Sequence, residues 1–198
     1  MGVERITVNG LRVSYDVAGE GPVLLLIHGW AGSRLHWRDA TRYLPNFRVV
    51  APDLFGFGDS EELEVCAAEE DYLQLLRFLL TSLQVEHCVI VGHSMGGQIA
   101  ARLASELGIR IAGVILVEAP VSNELQDIKC PILLVFGQEN EERTAIATAQ
   151  RKQNSLAKVL FINHASHNVM LDQPSVFYRE LRQWLAAHSS PFDDNARH

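Results

Sequence analysis

Six short apolar runs constrain this chain more than any other feature. They are VLLLIHG (23–29), FRVVAPD (47–53), CVIVGHS (88–94), GVILVEAP (113–120), PILLVFG (131–137) and KVLFIN (158–163). A strand with one wet face alternates apolar and polar residues. A strand that is apolar throughout is buried on both faces, as in a parallel sheet covered by helices. Helical patterns fill the gaps: His36–Leu44, Ala67–Leu83, Gly96–Leu107, Glu141–Ser155 and Ser175–Ala187. The alternation predicts an α/β domain with a mostly parallel sheet and helices on both faces. ITVNGLRVSYDV (6–17) adds two strands around the turn Asn9-Gly10, which brings the sheet to eight strands. The reading is one domain over residues 1–188, followed by a polar, disordered tail, SSPFDDNARH (189–198).

Composition narrows the partners. The chain is 47% hydrophobic and 21% charged, as an ordinary soluble protein is. A net charge of -7 opposes binding to nucleic acid and to anionic membrane surfaces. No apolar run reaches the length of a bilayer span. MGVERITV lacks the marks of a signal peptide or of myristoylation, so a cytoplasmic location is expected. Cys66, Cys88 and Cys130 are an odd, scattered set and read as free buried thiols. No Cys/His set has zinc spacing, and no cofactor is expected.

The strongest motif is VGHSMGG. Gly92-His93-Ser94-Met95-Gly96 fits G-x-S-x-G, with an apolar strand before it and a helix after it. So sharp a strand-to-helix turn needs small neighbours, and it lifts the Ser94 hydroxyl clear of the sheet. It also sets the serine at a helix N-terminus, where free N–H groups favour developing negative charge. His28-Gly29-Trp30 ends an earlier strand. The backbone N–H groups of Trp30 and Met95 are the candidate oxyanion hole. His167, in the loop after the last strand and before Pro174, is the candidate base. His93, inside the turn, reads as a packing and hydrogen-bonding residue; His164, His188 and His198 read as surface histidines.

Together HGW, DLFGFGDS (53–60), GHSMGG and SHNVMLDQP resemble the α/β-hydrolase superfamily, in its order and spacing. The resemblance runs from Ile6 to about Ala187. It implies a three-layer α/β-hydrolase fold with Ser94 as nucleophile and His167 as base. The residue at 94 is a serine, whereas an Asp nucleophile would mark a dehalogenase or an epoxide hydrolase. Two departures stand out. Similar family members carry a helical cap after the sixth strand, where this chain has only VSNELQDIKC (121–130), with Ser122 or Asn123 able to cap a short turn. An open site is then expected, and the uncovered apolar surface favours a homodimer.

The second departure concerns the triad acid. The family commonly carries it in G-x-x-D after the seventh strand, and here Gly137-Gln138-Glu139-Asn140 ends in Asn. Asn cannot offer the charge that stabilises an imidazolium, and in trypsin-type triads that swap costs about 10⁴ in turnover. Some family members take the acid from the end of the sixth strand, where Glu118 stands; this is the favoured reading. Glu139 or Glu141 after a shift of register, and Asn140 itself, remain open. The expected activity is hydrolysis of small or medium carboxylic esters, with Trp30, Phe55 and Met95 lining an apolar acyl pocket. Lactone or thioester cleavage would use the same residues. A ligand-binding protein with a weakened triad is the rival from another class.

Overall fold

The computed structural model describes residues 2–121, 123–138 and 140–188. Strands β1 (Gly2–Val8) and β2 (Leu11–Ala18) form an antiparallel hairpin. Asn9 and Gly10 both have positive φ, 51° and 84°, which suits a turn whose twist matches its strands. β2 runs antiparallel to β4 (Arg48–Pro52). The remaining neighbours are parallel: β3 (Val23–Ile27), β5 (Cys88–His93), β6 (Ile111–Val117), β7 (Ile132–Phe136) and β8 (Ala157–Phe161). The sheet order is β1-β2-β4-β3-β5-β6-β7-β8.

The apolar runs divide their residues between two cores. Leu25 and Ile27 of β3 join one cluster, with side chains from α2 (Glu69–Ser82), α3 (Met95–Leu107) and α4 (Glu141–Gln153). Leu24 and Leu26 join the other, with α1 (Ala40–Tyr43), α5 (Val169–Asp172) and α6 (Pro174–His188). Burial on both faces is what the continuous apolar pattern demands.

Strand order sets where the site falls. From β3 the chain crosses to β4 on one side and then to β5 on the other, so direction reverses between β3 and β5. At such a switch the loops leaving the two strands diverge and open a crevice at their C-terminal ends. His28 follows β3 and Ser94 follows β5, and the two strands pair with Ile27 opposite Gly92.

Two elements differ from expectation. The predicted helix His36–Leu44 is split into a 3-10 turn, Arg34–Trp37, and the short α1. Ser33 caps the turn by accepting from the Leu35 N–H, and Arg34 is held by carboxylates from other elements, so tertiary contacts override the helical period. The crossover from β6 to β7 contains one 3-10 turn, Asn123–Asp127, while Ser122 lies outside the described residues. Its carbonyls are satisfied from α4. Gln150 Nε2 donates to Ala119 O and Val121 O (2.8 and 3.2 Å), and Asn154 Nδ2 to Leu125 O and Ile128 O (2.6 and 2.9 Å). A short crossover thus leaves few orphaned backbone groups. Cys88 and Cys130 are buried as expected, but Cys66 is exposed. Among the described residues no helix is long and apolar enough to cross a membrane. The tail 189–198 lies outside the described residues.

Candidate active site

Ser94 carries φ 53° and ψ −120°, a region that costs a non-glycine residue energy unless its surroundings enforce it. The surroundings do so through close approach. A Cβ on Gly96 would lie 2.4 Å from His28 O, and one on Gly97 would lie 2.3 Å from Ala119 Cβ. The start of α3 is therefore wedged against the ends of β3 and β6, and the Ser94 N–H donates to Val117 O at 2.9 Å. Met95 is the first residue of α3, so its N–H has no acceptor within the helix. The HGW loop lies alongside: a Cβ on Gly29 would come within 3.0 Å of Ser94 Cβ.

His28 and His93, beside this turn, are held neutral. Leu54 N–H donates to His28 Nε2 at 3.0 Å, so Nδ1 carries the proton and donates to Gly29 O at 2.8 Å. Burial lowers the pKa of His28. His93 Nε2 lies 2.8 Å from His167 O; a carbonyl only accepts, so Nε2 is the protonated nitrogen. Burial pulls the His93 pKa down to about 4. The expected packing role of His93 thus has a specific content: it ties the nucleophile turn to the backbone of the His167 loop, with the two rings 4.7 Å apart.

His167 itself is more than half exposed, and its Nδ1 lies 3.7 Å from Glu118 Oε2. Among the described residues it is paired with no other carboxylate. Glu118 follows β6 with φ 49°, its N–H donating to Val135 O at 2.8 Å, and its side chain is 9% exposed. Its other oxygen, Oε1, accepts from Gly137 N–H at 2.5 Å and from Arg143 Nε at 2.8 Å. Asn140 is otherwise engaged. It caps α4, with Oδ1 accepting the Arg143 N–H at 2.9 Å. Glu118, Asn140, Arg143 and His167 line a common cleft of about 280 Å³. Glu141 is exposed at the first position of α4, and Glu139 lies outside the described residues.

The expected acyl-pocket residues separate. Trp30, which is 69% exposed, and the buried Phe55 line a cleft of about 410 Å³ with Phe57, Leu63, Val65 and Tyr72. The Trp30 ring meets Phe57 edge-on at 5.3 Å. Met95 is not in that lining; its side chain packs against the cluster under α3. His164 is exposed, as expected of a surface histidine. His188 belongs to a helix instead, stacked on Trp184, and His198 lies outside the described residues.

Sequence reasoning missed two charged residues. Arg143 is one. The other is Arg34, buried among Asp16, Asp53 and Asp59. Arg34 Nη2 meets Asp59 at 2.7 Å, its Nε meets Asp16 at 3.4 Å, and its Nη1 pairs with Asp53. Asp53 also accepts the backbone N–H groups of Arg34 and Asp59, at 2.7 and 2.9 Å. This cluster pins the segment after HGW to the DLFGFGDS loop. Its signal was present in the motif's two aspartates, but their cation lies on another element.

Residues 22–188 match the family model described as alpha/beta hydrolase fold. The chain belongs to the alpha/beta hydrolase family. It is 37% identical over 94 residues to a soluble epoxide hydrolase of Corynebacterium sp., covering 47% of this chain and 33% of that protein. It is 38% identical over 108 residues to epoxide hydrolase 4 of Mus musculus, covering 50% and 29%. The chain thus spans about a third of the length of the curated relatives it matches. In three dimensions it resembles a thioesterase domain from the curacin biosynthetic pathway (TM-score 0.84, 22% identity, 92% of this chain and 99% of that one). It also resembles an esterase from Rhodococcus sp. (TM-score 0.83, 17% identity, 95% and 100%). At these identities the structural likeness establishes the fold alone.

Proposed function

We propose that this alpha/beta hydrolase is a serine esterase acting on small or medium carboxylic esters. One observation carries the reading: a backbone-strained serine at the start of α3, on the same sheet edge as a histidine whose Nδ1 lies 3.7 Å from a carboxylate. Strain of this kind persists where the surroundings enforce it, and it gathers at active sites. The epoxide hydrolases among the relatives do not change the reading. A serine at position 94 suits acyl transfer.

In the proposed reaction Ser94 Oγ attacks the ester carbonyl and its proton passes to His167 Nε2. The N–H groups of Met95 and Trp30 donate to the oxyanion. The intermediate collapses, His167 returns the proton to the departing alcohol, and the acyl group stays on Ser94. A water then gives its proton to His167 and attacks the acyl ester; His167 returns that proton to Ser94 Oγ as the acid departs, which regenerates the free serine. Glu118 holds the ring with its Nδ1 proton inward and offsets the imidazolium charge. Trp30 and Phe55 offer the apolar cleft that would take the carbon chain. The substrate is a small molecule in the cytoplasm, and the protein forms a homodimer; a monomer by light scattering would refute that pairing.

The test is hydrolysis of p-nitrophenyl acetate, butyrate and octanoate by the wild type and Ser94→Ala. Turnover confined to the wild type, with a fluorophosphonate adduct on the peptide bearing Ser94, supports the proposal. Equal turnover in Ser94→Ala would defeat it. A second reading, a ligand-binding protein with slow turnover, draws on the gap between His167 and Glu118, which exceeds hydrogen-bonding distance. It expects weak activity that Asn140→Asp raises.

A further inference from the structure

We propose that Arg143 is the positioning residue of the triad acid; the inference rests on the serine-hydrolase reading. Glu118 has one more rotatable bond than an Asp would have, and its side chain is nearly buried. Left alone, such a carboxylate would turn toward any donor, and its charge would be costly to bury. Two donors converge on one of its oxygens. The Gly137 N–H and Arg143 Nε both point at Oε1, at 2.5 and 2.8 Å, which leaves Oε2 directed at His167. Holding one oxygen from two directions fixes the carboxylate plane, as a single contact cannot.

Arg143 is itself fixed at both ends. Its Nη1 donates to Gln138 O at 3.3 Å. Its backbone N–H is the one that Asn140 Oδ1 accepts, so it occupies the third position of α4. A chain of contacts therefore runs from Asn140 through the first turn of α4 and Arg143 to Glu118 and then to His167. In this arrangement Asn140 does not orient the imidazole. It starts the helix that delivers the guanidinium.

The experiment compares Arg143→Gln, Arg143→Lys and Arg143→Ala with the wild type in ester hydrolysis. Arg143 touches no substrate in this scheme, so KM should hold while kcat falls. A misplacement of about 1 Å can cost on the order of 10²-fold, so Arg143→Gln and Arg143→Ala should lose roughly 10- to 100-fold in kcat. Arg143→Lys should lose less. Free guanidinium at millimolar concentration should restore part of the Arg143→Ala rate. Ala is well tolerated in helices, so a melting temperature near the wild type's would separate positioning from folding.

A second readout needs no turnover. With ¹⁵N-histidine labelling, His167 in the wild type should hold its proton on Nδ1, and in Arg143→Gln it should mix tautomers. An unchanged tautomer together with unchanged kcat overturns the inference, as does a faster Arg143→Gln enzyme, which would make the arginine a competitor for Glu118. Should the wild type prove inactive on all esters, the esterase reading fails, and the tautomer comparison still decides the role of Arg143.

Discussion

Replacing Arg34 by Met should be the most damaging single change outside the core. The side chain is 7% exposed, and the change removes a cation from between Asp53, which is fully buried, and Asp16, which is 6% exposed. Breaking a buried ion pair from one side typically costs 3–5 kcal/mol, because the other charge is left without its partner. Two backbone donors would stay on Asp53, the N–H groups of residues 34 and 59, at 2.7 and 2.9 Å. That places the expected loss in the lower half of the range, at about 3–4 kcal/mol. For a domain of this size each kcal/mol moves Tm by about 2–4 °C, so Tm should fall by about 6–16 °C. The assay is urea denaturation at pH 7, with the slope compared between variants to confirm two-state behaviour. The deficit should persist at 0.5 M salt, since buried charges are weakly screened. Adding Asp53→Asn to Arg34→Met should recover part of it. A loss below 1 kcal/mol, the level of a surface pair, would refute the reasoning.

Two further outcomes follow from burial. Burial depresses the His93 pKa from 6.5 to about 4, so the unfolded chain takes up a proton before the folded one does. His93 stability is therefore complete above about pH 6.5 and is lost as pH falls to about 4, at up to about 1.4 kcal/mol per unit; His93→Asn should flatten the curve in that window, and an unchanged slope would count against it. The thiols should divide one to two: Cys66 is exposed, whereas burial raises the Cys88 and Cys130 pKa values to about 12 and 11. A disulfide reagent should titrate one thiol in the folded protein and three in urea; two or more fast thiols without denaturant would contradict the packing.

Much of the fold could be read from local signals. Continuous apolar runs located β3 to β8, because a strand buried on both faces has no polar side to blur the pattern, and the Asn9-Gly10 turn located β1 and β2. The serine turn was legible because its geometry forces small residues at fixed offsets. The helix expected over His36–Leu44 was wrong because Arg34 answers to Asp16 and Asp53, 18 and 19 residues away, which no local period registers. α5 was missed because four residues are too few to show a period. Glu118 was singled out by its place at the end of β6, and its Oε2 lies 3.7 Å from His167 Nδ1. Arg143, 25 residues from its partner, carried no signal of its own. Asn140 was read only as a stand-in for the acid, whereas the structure makes it the cap of α4, a role that an Asn before Glu141 and Glu142 suits.

The central claim is that Glu118, not position 140, supplies the triad acid, and kcat of Glu118→Gln beside that of Asn140→Asp tests it most directly. Asp caps a helix as well as Asn does, so Asn140→Asp should keep the wild-type rate. Glu118→Gln should lose on the order of 10³- to 10⁴-fold, as a triad does when its acid becomes an amide. A Glu118→Gln enzyme at full rate, with Asn140→Asp much faster than wild type, would contradict the account and return the acid's place to the loop after β7.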